Sequence, residues 1–479
     1  MGHKWVEKKI EDIAAPIENA MSTGPFGSAI SSKYFKSHGV PVIRGSNLST
    51  DVGERMSDDG LVFVDLEKAV EFRRSVVRTN DLVFTCWGTI NQIGLISNNL
   101  RYPEYIISNK QMKLTPDPEK VDPLFLYYLF SSPLKQAEII QNGIGAAVPG
   151  FNLGQLKKQT VRLPPLTEQK KISAFLDSFD ARIRLNKQAN KTLESMAQTL
   201  FKSWFLNFDP VIDNALAEGK EIPDPLAANA ATRQALREQG TDKPGQLHAL
   251  PEHIRQLFPN RFQFTEELGW IPEGWEINTL RSVTTELRRG ISPKYVEEGG
   301  VRVINQKCIR DHVINMTPAR RHDTSKKKVD GRLISIGDVL VNSTGVGTLG
   351  RIAQVYSLDE PTVVDSHVTV VRPNTEVFKP YFFGRLMLSI ERSVEALGMG
   401  STGQTELSRA DLGAHPVVTP PLEIQNWVEE LLKRCADRIS FNAKQSETLI
   451  ASRDTLLPKL LSGELRIPEA EKMLDEALA

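Results

Sequence analysis

The chain has 479 residues, room for two to four domains with real cores. Its 40% hydrophobic and 25% charged content is ordinary for a soluble globular protein, and with no apolar run of about 18 residues and no apolar core in the opening MGHKWVEKKI, neither a membrane span nor secretion is expected. Cys86, Cys308 and Cys435 form no CxxC pair, which argues against a disulfide framework or zinc finger and for a reducing cytoplasm; a net charge of zero still leaves room for a local basic surface.

From the N-terminus, a Trp-containing segment (WVEKKIEDI, from Trp5) leads into short β-branched or aromatic runs: PVIRGS (41–46), LVFV (61–64) and DLVFT (81–85). These read as strands, and 123–141 reads as helical. Gly-rich polar turns separate them: TGPFGSAISSKYFK (23–36), RGSN (44–47), CWGTINQ (86–92) and GIGAAVPGFN (143–152). At 163 comes LPPLTEQKKISAFL, after which apolar residues fall at steps of three and four: Ile172, Leu176, Phe179, Ile183, Leu193, Met196 and Leu200. The spacing predicts one long helix with a single seam, roughly 167–204 and about 55 Å long. The prolines suit its first turn, where no intrahelical N–H is lost.

A connector of about 206–270 follows, and its stretch LAEGKEIPDPLAANAATRQALREQGTDKPG reads as a mobile surface segment. Then the pattern starts again with WEINTLRSV at Trp275, the runs VRVIN (301–305), DVLVN (338–342) and VTVVR (368–372), and a helical 380–396. The turns are RRGISPKY (288–295), NQK (305–307), NSTGVGT (342–348) and GSTGQTE (400–406). TPPLEIQNWVEELL at 419 opens a second helix with its seam at Val428, Leu432, Cys435, Ile439, Leu449 and Leu456; Pro458 is expected to end or kink it near Leu457.

The two halves superimpose at a fixed offset of 420 − 164 = 256, pairing Pro164 with Pro420, Gln169 with Gln425, Ile183 with Ile439, Asn186 with Asn442 and Leu200 with Leu456 without a gap over nearly 40 residues. A shared unit is therefore written twice. Asn186 and Asn442 either sit on the seams, fixing register at a cost in stability, or lie just off them in solvent. Two equivalent seams most simply bury each other, and sequence leaves parallel and antiparallel pairing both open. The globular parts read as α+β domains with a twisted, mostly antiparallel sheet. The expected boundaries are domain 1 at 1–165, helix 1 at 166–205, connector 206–270, domain 2 at 271–420, helix 2 at 421–463 and a C-terminal tail at 464–479.

The loops carry Arg and Lys for phosphates or guanine edges, Asn and Gln for adenine, and Ser and Thr beside Gly for phosphate oxygens. Singly, each fits any solvated loop; their recurrence at equivalent places favours nucleic acid. Candidate DNA contacts in domain 1 are Ser28, Ser31, Lys33, Arg44, Ser46, Asn47, Trp87, Asn91, Gln92, Asn109, Lys110 and Gln111. In domain 2 they are Arg288, Arg289, Ser292, Lys294, Asn305, Gln306, Lys307, Asn342, Ser343, Thr344, His367, Thr402 and Gln404. Residues 281–328 concentrate basic character, 12 Lys and Arg against 5 Asp and Glu.

Catalytic constellations are not evident. GVGTLG (345–350) matches GxGxxG but is followed by the strand-like RIAQVY, and GTDKPGQL (240–247) has Gln where a P-loop needs Lys. No HExxH, close metal-ligand cluster or methyltransferase N-P-P-aromatic motif occurs. Asp213 with EGK (218–220) only weakly mimics a nuclease set, and Cys435 reads as a seam residue.

LPPLTEQKKI, SWFLNFDPV (203–211), ELGWIPEGW (267–275), TPPLEIQ and RDTLLPKLLSGEL (453–465) together resemble the specificity (S) subunit of type I restriction–modification systems, over nearly the whole chain. One departure is that the first unit opens at HKWVEKKI without a preceding GxIPxGW. The resemblance implies two target recognition domains, each reading one half of a split DNA sequence. It implies helices forming an antiparallel coiled coil that binds two methyltransferase (M) subunits, through which restriction (R) subunits join. It further implies no cofactor on this chain, S-adenosylmethionine in the M subunit, ATP and Mg in the R subunit, double-stranded DNA as partner and no membrane. Two other readings stand beside it: the recognition subunit of a related ATP-independent enzyme, and a duplicated coiled-coil scaffold that binds no DNA.

Overall fold

The computed structural model describes residues 5–27, 29–145, 149–239, 250–398 and 406–478. It divides into two compact units, Met1–Asn186 with Lys444–Ala479, and Lys187–Ala443. Each unit holds one globular domain and a part of both long helices, Leu166–Phe201 and Leu422–Ser462. Within each unit the domain packs on the start of its own helix and the end of the other.

In the first unit two four-stranded sheets cross-pack. One has the order Met21–Thr23, Gln111–Leu114, Leu82–Thr85, Ile93–Leu95, all antiparallel. The other has the order Val62–Val64, Val40–Ile43, Glu104–Ile107, Val76–Arg78, with Val40–Ile43 and Glu104–Ile107 parallel. The second unit repeats the plan. Thr284–Arg289, Val368–Pro373, Val339–Asn342 and Ile352–Gln354 form the antiparallel sheet, and the other contains the parallel pair Val301–Ile304 and Thr362–Val364. One sheet per domain was expected; two four-stranded sheets occur in each, and strands such as Leu82–Thr85 and Val339–Asn342 are buried at every position and so lack a solvent face. Val6–Lys9 pairs with Thr160–Leu163, as Glu276–Thr279 does with Pro416–Thr419.

The repeated Pro-Pro-Leu…Gln now has a physical role. Gln169 is 1% exposed; its Nε2 donates to the Pro164 carbonyl (2.8 Å) and its Oε1 accepts from the Asp122 N–H (2.9 Å). Gln425 is 0% exposed and does the same with Pro420 (2.8 Å) and Lys379 (3.0 Å). Each glutamine ties the start of a long helix to the start of a domain helix (Pro123–Ser131, Pro380–Ser389). Gln169→Ala strands the half-buried Asp122 N–H and the buried Pro164 carbonyl. It is expected to cost about 1–3 kcal/mol in denaturant unfolding, and Gln425→Ala a similar amount.

The helices meet inside each unit. In the first, Asp180 pairs with Arg453 (2.5 Å), and Asn186 Nδ2 donates to Gln445 Oε1 (3.0 Å) and Ser446 Oγ (3.2 Å). Numbers rise on one helix as they fall on the other, so the contact is antiparallel. In the second, Asn442 Nδ2 donates to Asn190 Oδ1 (2.8 Å), while Trp204 packs against Trp427 at 5.4 Å. Asn186 and Asn442 are 4% and 1% exposed, which places both on the buried face. Ile172, Leu176, Phe179, Ile183, Val428, Leu432 and Leu456 are buried and Leu193, Leu200, Cys435, Ile439 and Leu449 partly so, but Met196 is exposed, with Ala197 facing inward in its place.

Pro458 does not end the second helix, which runs on to Ser462. The expected tail holds a helix, Ile467–Leu478. In the connector, helices Asp209–Glu218 and Ala227–Glu238 pack together, with Val211, Ile212 and Ala215 buried ahead of the stretch that begins at Leu216, and Ala230 and Arg233 buried within it; 240–249 lie outside the described residues. Asp213 is held there by the Arg233 guanidinium, its Nε at 2.9 Å, a structural ion pair rather than a nuclease carboxylate. Among the described residues no helix is long and apolar enough to cross a membrane.

Candidate nucleic-acid interface

In each domain, turns from different strands gather at one end of the sheets. In the first domain, Trp87 bridges to Gly150, and the Phe151 N–H donates to the Cys86 carbonyl at 2.8 Å. The Cys86 N–H donates to the Lys110 carbonyl (2.6 Å), Asn109 Nδ2 to the Gly27 carbonyl (2.9 Å) and Gln92 Nε2 to the Leu48 carbonyl (3.1 Å). Five loops are so stitched into one face.

The second domain repeats the stitching with different side chains. Thr344 bridges to Glu406, and the Leu407 N–H donates to the Ser343 carbonyl at 2.8 Å (344 − 87 = 257; 406 − 150 = 256). The Ser343 N–H donates to the His367 carbonyl (2.8 Å), and Asn342 Nδ2 to the Gln306 carbonyl (3.0 Å). Gly24 and Gly290 stand at matching crossings: a Cβ would lie 1.8 Å from the Ser108 carbonyl oxygen or 2.1 Å from that of Val364, so neither site admits a side chain.

The exposed members of the expected set are Lys33, Ser46, Trp87, Asn109 and Lys110 in the first domain, and Ser292, Lys294, Lys307 and His367 in the second. Ser31, Arg44, Asn91, Gln92, Arg288, Arg289, Asn305, Gln306 and Thr344 are half-buried. Several of these are already engaged. Arg44 Nη2 donates to the Gly60 carbonyl (2.8 Å), Asn91 lies 3.5 Å from Gln136, and Arg288 pairs with Glu286 (2.6 Å). Arg289 pairs with Glu406 (2.6 Å) and donates to the Leu407 carbonyl (2.9 Å), and Asn305 donates to the Pro318 carbonyl (2.8 Å). Thr344 Oγ1 lies 2.6 Å from His367 Nδ1.

Four expected contacts are withdrawn from solvent. Asn47 (2% exposed) spends its amide on the Ser57 and Asp59 carbonyls at 3.1 and 3.0 Å, shaping the turn behind Ser46. Gln111, Asn342 and Ser343 are 0% exposed: Gln111 begins and Asn342 ends an inner strand, and Ser343, just past the latter, shares a hydrogen bond with Thr369 (2.5 Å). Ser28, Thr402 and Gln404 lie outside the described residues. Sequence reasoning passed over Phe26 and Val346, 82% and 90% exposed at loop tips; an apolar residue beside glycine in a polar loop (PFG, GVG) is the signal for both.

A titratable tie holds a hairpin of the second domain beside the long helix. The hairpin between Ile309–Arg310 and Val313–Ile314 turns at His312, whose Nε2 lies 2.7 Å from Glu391. That hydrogen bond holds the imidazole above its ordinary pKa. A raised folded value stabilises below the unfolded one, about 6.5, and the gain fades as pH rises through the folded value. His312→Ala should therefore lower the melting temperature more at about pH 6 than at about pH 8.5; equal losses would contradict this.

Fold and site together define a duplicated recognition protein, with two matched loop faces on matched sheets. Among the described residues, no cluster of three His, Cys, Asp or Glu could hold a metal. The model of the type I restriction modification DNA specificity domain matches residues 3–195 and 272–450, and the chain belongs to that family. It is 24% identical over 388 residues to the HindI specificity subunit of Haemophilus influenzae, covering 75% of this chain and 81% of that one. To the MjaIX specificity subunit of Methanocaldococcus jannaschii it is 23% identical over 348 residues, covering 72% and 69%. The crystal structure of a type I S subunit from M. genitalium shares the fold, with a TM-score of 0.54 at 13% identity over 96% of each chain.

Proposed function

We propose that this chain is the non-catalytic DNA-recognition subunit of a type I restriction–modification complex, reading a bipartite, asymmetric target with one loop face per half. The carrying observation is the stitching shared by the two faces, filled with different residues: Trp87 and Lys110 in one, Thr344 and His367 in the other. Matched scaffolds with unmatched tips suit two different half-sites. The long helices space the halves and dock two M subunits, and R subunits join through these. In the cytoplasmic complex, S-adenosylmethionine belongs to M, and ATP with Mg to R.

A mobility shift with the purified M–S complex tests the reading. Binding to a duplex carrying the methylated sequence of the host genome should be specific and fall steeply with salt. No binding at low salt would leave a scaffold.

A further inference from the structure

A basic ridge borders the loop face of the second domain. Past the strand Arg320–His322 the chain runs through Asp323 to Lys326, Lys327 and Lys328, all three exposed. His322, 0% exposed, pins this segment. Its Nδ1 accepts the Lys294 N–H (2.9 Å), and its Nε2 is left to donate to the Lys327 carbonyl (2.8 Å). The Asp323 N–H donates to the Lys294 carbonyl (2.9 Å), and Lys327 Nζ to the Ser292 carbonyl (3.2 Å). The Arg320 guanidinium lies over the Tyr295 ring at 3.4 Å, which leaves its edge N–H groups available. The ridge is thus sewn to 292–295, the strand of chain that leaves the loop face at Gly290.

The first domain is built differently at the matching place. Over the ten residues after Val62–Val64 come three acids (Asp65, Glu67, Glu71) and three bases (Lys68, Arg73, Arg74), against two acids and four bases in 323–332, where three lysines are consecutive. Lys68 is paired with Glu71 at 2.6 Å and Asp65 lies 3.8 Å from Lys36; on the ridge Lys326 lies 3.5 Å from Asp323, and Lys328 completes the run.

We propose that Lys294, Arg320 and Lys326–Lys328 form a sequence-independent phosphate grip beside the half-site read by the second domain, and that the first domain, without a matching lysine run, grips its half-site less strongly. The proposal rests on the DNA-recognition reading and adds an asymmetry to it: one half-site is held by bases and backbone, the other more by its bases. A grip of this kind contributes affinity and salt dependence equally on any sequence.

The test uses the full M–S complex with a Lys326→Gln, Lys327→Gln, Lys328→Gln variant, titrated on target and non-target duplexes from about 50 to 200 mM salt. Each lost phosphate contact should flatten the slope of log K against log salt by about 0.9, so three lost contacts make the affinity lost across that range about 40-fold smaller. Affinity at low salt should drop by the same factor on both duplexes, with the methylated sequence unchanged. Lys68→Gln in the first domain should leave the slope as it was. An unchanged slope in the triple variant, or a loss confined to the target duplex, overturns the grip while specific binding by the parent complex keeps the recognition reading. A parent complex that binds no DNA defeats both.

Discussion

Replacing Asp180 with Ala is expected to destabilise the first unit by about 3–5 kcal/mol, the usual result of stranding one member of a buried ion pair. Asp180 and Arg453 have side chains 2% and 6% exposed and meet at 2.5 Å. Tyr128 donates its hydroxyl to the other carboxylate oxygen at 2.5 Å, and Arg453 also donates to the Val52 carbonyl at 2.8 Å. The loop closes so tightly that a Cβ on Gly53 (φ +87°) would lie 2.5 Å from Asp180. Removing the carboxylate leaves Arg453 with Val52 and Asp454 only. The second unit supplies the comparison: positions 256 away are Ala436 and Ala197, each 1% exposed. The same scaffold is thus built there with two small apolar residues. Asp180→Ala/Arg453→Ala should therefore be less destabilised than the sum of its single variants, and a denaturant-unfolding double-mutant cycle measures the coupling. Additive losses would mean that the pair acts through separate contacts.

That contrast shows why parts of the molecule were legible in sequence and others were not. The helices and their repeat were, because buried seams at 3.6-residue spacing and a gapless offset leave a direct trace. The offset even carried the roles of Gln169 and Gln425, although only the structure shows that each bonds a proline carbonyl and a domain-helix N–H. Sheet pairing was less legible, since runs buried on both faces lose their alternation, as Leu82–Thr85 does. The loop residues were read by chemistry and position, which cannot distinguish an amide facing outward from one closing its own turn. Asn47 and Asn342 look like Asn109 in sequence, yet only Asn109 is exposed. The connector was only partly legible: within its polar, Ala-rich stretch the helix Ala227–Glu238 turns Ala230 and Arg233 inward, positions that composition does not mark.

Changing the tip of one face should alter one half of the target and leave the other as it was. Gln306 and Lys307 follow the strand Val301–Ile304 and separate the two expected kinds of contact. A glutamine amide reading adenine in a bidentate pair discriminates by about 1–3 kcal/mol, so Gln306→Ala should relax one base position of the second half-site, about 5- to 150-fold in competition binding. Lys307 is exposed and bears only a point charge. Lys307→Ala should weaken all sequences alike and lower the salt slope by about one. In the first domain the position matching Thr344 holds Trp87, 51% exposed and braced on Gly150, where a Cβ would lie 2.5 Å from its ring. An aromatic there packs against a base face or a thymine methyl rather than donating to a base edge. Trp87→Ala should therefore broaden the first half-site, while the variants in the second domain leave that half intact. Mapping methylated positions in cells expressing each variant reads both halves at once. A Trp87 variant that changes the second half-site, or a Gln306 variant that changes the first, would break the assignment of one face to one half.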